Sequence, residues 1–569
     1  MQYSLSFDQA QKSDIRILLD GKETHITMYE AVYAGHPTQV AMVPDDAPDQ
    51  RLSLYVPDHA DSHSPMIFFV KNWGWKVNAY QLRHQVEDGK AYASNADNDL
   101  IGKLMAEGYV LVTYGCRSRG DRPTAEGKYI SHAPATVTDT KAVIRYLRYN
   151  RDLLPAGDPE RIVITGTSGG GALSTIIGAS GNHADFFPSL YEIGAAGIEK
   201  EGNAYRSTIR DDVFAVIAYC PINDLREGDA AYEYTYGETR RRLVREGLPA
   251  VDDRTGLTFQ DPFTDNYTPE FMLEASEALG RQYGRYVNSL QLKDESGVLI
   301  TGDGLREKIR VLLNAGFRKA FEKVGGERMR EDLAGNAEYS GQHTACMYNS
   351  KSPDWDDPFS RDADGAPCLA DEAAVQRYLY FVARNQPLKV VCAFSNLGLG
   401  ERGLASVSGF HEDTLYGSTD QAYCPFEFWS WNHNRQEGTG VGRNNTGLDF
   451  EAYLKTDAGQ LLQMQLNTTT PIHYLTGECG AEPDICAHWY VRHGLRDRDT
   501  SFALQTVLYQ ALRNNRKVRN LNFALTWLQP HSGDYDVQEA YTWLKSIEAP
   551  FISKNMAQSL NLCDGTFRT

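Results

Sequence analysis

Arg161-Ile162-Val163-Ile164-Thr165-Gly166-Thr167-Ser168-Gly169-Gly170-Gly171-Ala172-Leu173 reads as a strand, a sharp turn and the first turn of a helix. Within it, Gly166-Thr167-Ser168-Gly169-Gly170 fits G-x-S-x-G, the nucleophile elbow that lifts a serine hydroxyl above a sheet edge. A serine held between strand and helix needs small residues two before and two after it so that the elements can cross, and Gly166 and Gly170 supply them. The helix points its free N-terminal amides back at the serine. The Gly169 amide can therefore donate to the oxyanion formed when Ser168 attacks a carbonyl. The competing reading, a phosphate-cradling glycine loop, lacks the Lys-Ser/Thr pair that such a loop needs.

Outward from the elbow, strands and helices alternate. Arg51 to Pro57 alternates as a half-buried strand, and Met66 to Val70 is a continuous apolar run suited to burial on both faces. That run leads into Lys71-Asn72-Trp73-Gly74-Trp75, the place where an α/β-hydrolase offers its second oxyanion amide, so Trp73, Gly74 or Trp75 is expected to present it. The plainer reading of this stretch is an aromatic surface turn. Asp99 to Glu107 reads as a helix stopped by Gly108, Tyr109 to Tyr114 as a strand, and Thr138-Asp139 as the start of a helix through Tyr149, with Asp139 at the positive end of its dipole. Val213 to Pro221 is a further buried strand. The rhythm is that of a doubly wound, mostly parallel sheet flanked by helices.

After Pro221 the rhythm breaks. Residues 222–480 are charged, tyrosine-rich and helical or irregular, with a helix over Leu305 to Val324, one strand over Leu388 to Cys392 and a polar loop from Arg435 to Gly447. A structureless excursion of that length does not fit inside a compact domain, so it is expected to be an inserted lid or cap. The rhythm then returns with a strand at His488 to Arg492, a helix at Ser501 to Asn514, a last strand at Leu521 to Trp527 and a closing helix at Val537 to Ile547. The expectation is an α/β-hydrolase catalytic domain made of residues 1–221 and 481–569, interrupted by a lid domain at 222–480.

Composition narrows the function classes. A net charge of -18 and a pI near 5.3 over 569 residues argue against nucleic-acid and anionic-membrane partners, which select basic surfaces. The first residues show no basic stretch followed by an apolar one, and no apolar run is long enough to span a bilayer, so a cytoplasmic location is expected. The nine cysteines are scattered, odd in number and without a C-x-x-C pair, which fits reduced thiols rather than a disulfide framework or a zinc site. No internal repeat is present, and nothing in the sequence signals oligomeric state.

A serine nucleophile needs a base within hydrogen-bond reach and an acid to hold that base. In this fold the chain order is Ser, then Asp or Glu, then His, each beyond the C-terminal end of a strand. The stretch after the His488 strand offers Asp497 and Asp499, and the loop after the last strand offers His531. His493 is the rival base but precedes the acid in the chain. His488 and His493, five apart, point to opposite faces and make a poor metal pair. No metal or organic cofactor is required.

The run from His488 to Thr500, together with Phe523-Ala524-Leu525-Thr526-Trp527 and Pro530-His531-Ser532-Gly533-Asp534-Tyr535-Asp536, resembles the C-terminal part of bacterial tannases and their feruloyl-esterase relatives. The elbow and Val70-Lys71-Asn72-x-Gly74 are similar too. The resemblance implies Asp497 as triad acid and Asp499 as a contact for galloyl hydroxyls. Family members grip the other hydroxyls with a lysine and a glutamate of the cap; Glu412, in His411-Glu412-Asp413-Thr414-Leu415-Tyr416-Gly417, resembles the glutamate motif, and Lys389 is the candidate lysine. Trp73 stands where the family has a small residue. Thr167 and Pro530 precede the triad serine and histidine, where fungal tannases carry cysteines, so the likeness is to the bacterial type.

The implied activity is that of a cofactor-free serine esterase acting on small esters of hydroxylated aromatic acids, galloyl esters first. A feruloyl or general carboxylesterase, or a peptidase of the same fold, is the alternative, although no propeller repeat of an oligopeptidase precedes the hydrolase part. A catalytically silent polyphenol-binding protein is the third reading.

Overall fold

In the computed structural model, which describes residues 3–19, 22–38, 50–77, 99–119, 123–248, 268–336, 346–395, 412–434 and 441–548, nine strands form one sheet. They are β1 (Gln11–Leu19), β2 (Lys22–Val32), β3 (Arg51–Pro57), β4 (Pro65–Val70), β5 (Val110–Tyr114), β6 (Asp158–Thr167), β7 (Ala215–Tyr219), β8 (His488–Gly494) and β9 (Asn520–Thr526). The order across the sheet is β1-β2-β3-β5-β4-β6-β7-β8-β9. The six strands from β5 to β9 run parallel, and β1, β2 and β3 extend the sheet antiparallel.

Side chains alternate across the pleat, so each central strand feeds two cores. In β6, Ile162 and Ile164 enter one and Val163 the other; in β7, Val216 and Ala218 face one way and Ala215 and Ile217 the other. The smaller core is closed by α1 (Leu100–Ala106) and by a C-terminal helix over 537–548. The larger holds α2 (Ala135–Tyr149) and α3 (Gly169–Ala179). It also takes in the segment between β7 and β8: α4 (Gly228–Arg245), α5 (Pro269–Ser289), α6 (Leu305–Glu331) and α7 (Glu372–Asn385) all bury residues there. Phe317 of α6 lies edge-on to Trp527, with ring centroids 6.0 Å apart, and α8 (Phe502–Asn514) closes the same core. The described residues of this excursion are mostly helical and share their apolar core with the sheet.

Several elements depart from the sequence reading. Helix α2 begins at Ala135, three residues before Thr138, so Asp139 lies inside it rather than at its positive end. The carboxylate is fully buried, 2.8 Å from the Arg117 guanidinium, and also accepts from the Arg117 amide and the Gln50 side chain. Leu388 to Cys392 is not a strand: the run is irregular, and the Lys389 amide donates to the Tyr232 hydroxyl at 3.0 Å instead of a ladder partner. Helix α6 passes Val324 and continues to Glu331 through a break at Gly325 (φ 77°). Strand β8 extends to Gly494, which puts His493 on the strand. Of the polar loop read at 435–447, residues 435–440 lie outside the described residues, and Arg443–Thr446 forms one helical turn. No described helix is long and apolar enough to cross a membrane. All eight described cysteines are free thiols, and Cys563 lies outside the described residues.

The two readings of Asp139 separate by magnitude. An exposed carboxylate near a helix start contributes up to about 1 kcal/mol. Removing one partner of a buried ion pair costs about 3–5 kcal/mol. Urea unfolding of Asp139→Ala is therefore expected to show a loss of about 3 kcal/mol or more, and a loss under about 1 kcal/mol would return Asp139 to the capping role.

Candidate active site

The turn between β6 and α3 is set by backbone contact. A Cβ on Gly166 would stand 2.5 Å from the Gly170 carbonyl group, and one on Gly170 would collide with the Val70 carbonyl oxygen of β4. Only glycines allow α3 to start this close to its own strand and to the neighbouring one. The chain turns in the one residue between Thr167 and Gly169, and Ser168 takes φ 62°, ψ -123°. That conformation costs a non-glycine residue about 1–3 kcal/mol and survives where the surroundings over-determine it. Here the Ser168 amide donates to Tyr219 of β7 at 3.0 Å, and its carbonyl accepts from Ala172 at 2.9 Å and Ile222 at 3.3 Å.

The Ser168 hydroxyl lies 2.8 Å from His531 Nε2, and His531 Nδ1 lies 2.8 Å from Asp497 Oδ2. A neutral imidazole bonded in this way carries its proton on Nδ1 and leaves Nε2 to accept from the serine. Asp497 Oδ1 accepts the Asp499 amide at 2.8 Å, and the Asp497 carbonyl accepts the Tyr236 hydroxyl of α4 at 3.2 Å. Burial opposes charge on both partners, but each overcomes it through the other: Asp497 is held below the usual carboxylate range and His531 well above the usual imidazole range.

Asp497 and His531 come from two loops pressed together. The Leu495 amide donates to Thr526 at 2.8 Å and the Arg496 amide to Gln529 at 3.0 Å, while Gly494 packs so tightly on Gln529 and Pro530 that no Cβ fits. Behind the His531 loop, Asp536 accepts from Arg492 Nε at 2.7 Å and from the hydroxyls of Tyr219 and Tyr490.

On the other side of the serine, Gly169 abuts the backbone of Asn72 and Trp75, again without room for a Cβ. In this loop the Trp73 and Trp75 amides donate to Lys71 (2.8 Å) and Asn72 (2.9 Å), which leaves the Gly74 amide as the one not spent on a loop carbonyl. Gly74 has φ 54°. Trp73 is 66% exposed and projects away from the loop, whereas Trp75 is fully buried. The loop is clamped by the residues after β5: the Ser118 hydroxyl donates to the Trp75 carbonyl at 2.5 Å, and Arg119 Nε donates to the Gly74 carbonyl.

The residues expected to read ring hydroxyls fall into two linked groups. Asp499 Oδ1 is 2.7 Å from Arg498 and 4.0 Å from Lys389 Nζ. Glu412 is 4% exposed, 3.7 Å from Arg119, and one of its oxygens, Oε2, is buried without a hydrogen-bond partner. Burial pushes the Glu412 carboxyl up, with Arg119 and then Lys389 opposing it. His411 lies outside the described residues. The sequence reading missed Arg119 and Arg498. The signal for Arg119 was its place just past the carboxyl end of a parallel strand, where such sheets bind ligands. Among the described residues, two sets of donor atoms could hold a metal, Cys220–His493–Asp497 and Asp497–Asp499–His531, each within 4.8 Å.

The family model described as BD-FAE, a bacterial feruloyl-esterase-type domain, matches residues 52–248. A comparison with curated proteins gives no match. Among solved structures the chain is similar to a tannase from Lactobacillus plantarum at 26% identity, covering 96% of this chain and 100% of that one with a TM-score of 0.66. It is similar to the Fusobacterium nucleatum tannase at 25% identity, covering 96% and 99% with a TM-score of 0.65. A tannin acyl hydrolase in complex with ethyl gallate aligns at 26% identity over 95% of this chain and 98% of that one, with a TM-score of 0.66. With a serine elbow on a mostly parallel sheet and these likenesses over nearly the whole chain, the protein is a carboxylic ester hydrolase with the α/β-hydrolase fold, similar to bacterial tannases and matched over part of its length by a feruloyl-esterase-type model.

Proposed function

We propose that the protein hydrolyses esters of hydroxylated aromatic acids, galloyl esters first, through an acyl-enzyme on Ser168. The observation that carries this reading is the unbroken run Asp497–His531–Ser168, with both links at 2.8 Å, beside the amides of Gly169 and Gly74. His531 Nε2 takes the hydroxyl proton as Ser168 Oγ attacks the ester carbonyl. The oxyanion is held by the amides of Gly169 and Gly74. The tetrahedral adduct expels the alcohol, which receives the proton from His531. Water then repeats the sequence on the acyl-enzyme and releases the aromatic acid. Asp497 keeps the imidazole in the right tautomer and offsets its charge.

The substrate class rests on the polar groups around the serine and on the ethyl gallate complex of the similar hydrolase. Asp499, Lys389 and Glu412 are ionisable, largely buried and electrostatically linked, which suits hydrogen bonding to several phenolic hydroxyls on one ring. A ring lacking those hydroxyls would leave these groups unpaired, so discrimination is steep. We read residues 222–480 as the roof of the site, since Lys389 and Glu412 come from it and Tyr236 and Tyr378 donate to carbonyls of the acid loop.

Initial rates on methyl gallate, methyl ferulate, methyl benzoate and a peptide amide test the substrate class. The gallate ester is expected to exceed the benzoate by about 10⁴-fold in kcat/KM. Faster turnover of the ferulate moves the assignment to a feruloyl esterase, and faster turnover of the amide makes it a peptidase. Ser168→Ala is expected to lose about 10⁴–10⁶-fold in kcat, to keep its melting temperature and to escape a fluorophosphonate probe that labels the wild type. Equal labelling of the variant would remove Ser168 from the role.

The proton on His531 gives a pH test with a definite sign. The base works only when neutral, and Asp497 raises its pKa, so kcat/KM should be full at alkaline pH and fall as pH drops through a value above about 6.5. Asp497→Asn removes the charge that causes the rise, so the acid limb should move to lower pH while kcat falls about 10⁴-fold. An acid limb unmoved in that variant would assign it to another group.

A further inference from the structure

Directly behind the acid–base pair lie two side chains that the mechanism does not use. His493 of β8 is fully buried, and both of its ring nitrogens lack a hydrogen-bond partner. Its Nδ1 is 3.3 Å from Asp497 Oδ2, off the alignment of a hydrogen bond, and its ring stands edge-on to Phe502. An unsatisfied buried donor or acceptor costs about 1–3 kcal/mol, so a partner at either His493 nitrogen would be favoured. Next to it, Cys220 follows β7 with φ 44°, its thiol 3.3 Å from the Ser532 carbonyl. Sγ, a His493 nitrogen and an Asp497 oxygen all lie within 4.8 Å of one another, and all three residues are buried.

We propose that Cys220, His493 and Asp497 form a site for a thiophilic divalent cation such as Zn²⁺ or Cd²⁺, and that occupation of the site switches the esterase off. Sulfur, imidazole and carboxylate are the donors that such ions select, and three protein ligands with water in the fourth position is a common tetrahedral set. The charges balance. The dication meets one thiolate and one carboxylate, and His493 binds as a neutral ring through a nitrogen lone pair. On binding, the Cys220 thiol loses its proton to solvent, and the sulfur, nitrogen and oxygen lone pairs form the bonds to the metal; nothing is oxidised or reduced. Asp497 is the point of conflict. The carboxylate that bonds the cation is the one whose Oδ2 holds His531 Nδ1, so the imidazole loses its orienting partner when the site fills.

The loss of activity rests on the triad reading, but metal uptake is measured without substrate, so the two can fail separately. The full-length protein, freed of metal with EDTA, is dialysed against Zn²⁺ or Cd²⁺ alone. Wild type is expected to bind one equivalent that Cys220→Ser and His493→Asn bind about tenfold or more weakly, whereas Cys479→Ser, which alters a half-buried thiol outside the cluster, keeps it. Cadmium NMR of the wild type is expected to report a single sulfur donor, and this readout needs no variant to fold. Esterase activity is expected to fall with the same stoichiometry and to return with EDTA. Unchanged uptake in Cys220→Ser, a cadmium signal with oxygen donors only, or a filled site with full activity would each overturn the proposal.

Discussion

The close crossing of α3 over β6 is the constraint on which the rest of the site depends. Two backbones meet where Gly166 and Gly170 leave no side chain between them, and the turn that remains can be made only by a residue at φ 62°. Ser168 has no other way to connect the two elements, so its hydroxyl stands above the sheet edge whatever else the chain does. The same closeness brings Gly169 against the Asn72–Trp75 backbone, so Ser168 and the amides proposed to hold the oxyanion are fixed by one packing event. The strain is of the order of 1–3 kcal/mol and is held by three backbone hydrogen bonds at the serine and a sheet buried on both faces.

Asp497 and His531 reach the serine by a second close approach, between the loops after β8 and β9. Gly494 against Gln529 closes the distance, Asp536 ties Arg492 to two tyrosines of adjacent strands, and tyrosine hydroxyls from α4 and α7 bond the carbonyls of Asp497 and Leu495. The long segment that separates Ser168 from Asp497 in the chain thus also helps to hold Asp497 in place. Its helices share the larger core with the sheet, so movement of this segment as a rigid lid would have to break those contacts.

Much of this was legible in the sequence because burial on both faces leaves continuous apolar runs. Met66 to Val70 and Val213 to Pro221 needed no partner to be read as central strands, and the elbow carries its own spacing. What failed were places where local pattern and tertiary contact compete. Leu388 to Cys392 is as apolar as a strand, but its amide at Lys389 bonds a tyrosine of α4, and periodicity alone does not distinguish the two. Asp139 looked like a helix start because acids favour that position, whereas its real partner, Arg117, is 22 residues away and invisible to local rules. Asp497 and His531 followed from chain order and resemblance; Arg119 did not, since its contact with Gly74 joins segments that only folding brings together.

The central claim is that an aromatic acyl group passes through Ser168. Rapid acid quench during turnover of methyl gallate, followed by peptide mass mapping, tests it directly. The account predicts a galloyl adduct on the peptide that contains Ser168, appearing before steady state and decaying as substrate runs out. A galloyl adduct on any other residue, or turnover of the ester with Ser168 replaced by alanine at the wild-type rate, would contradict it.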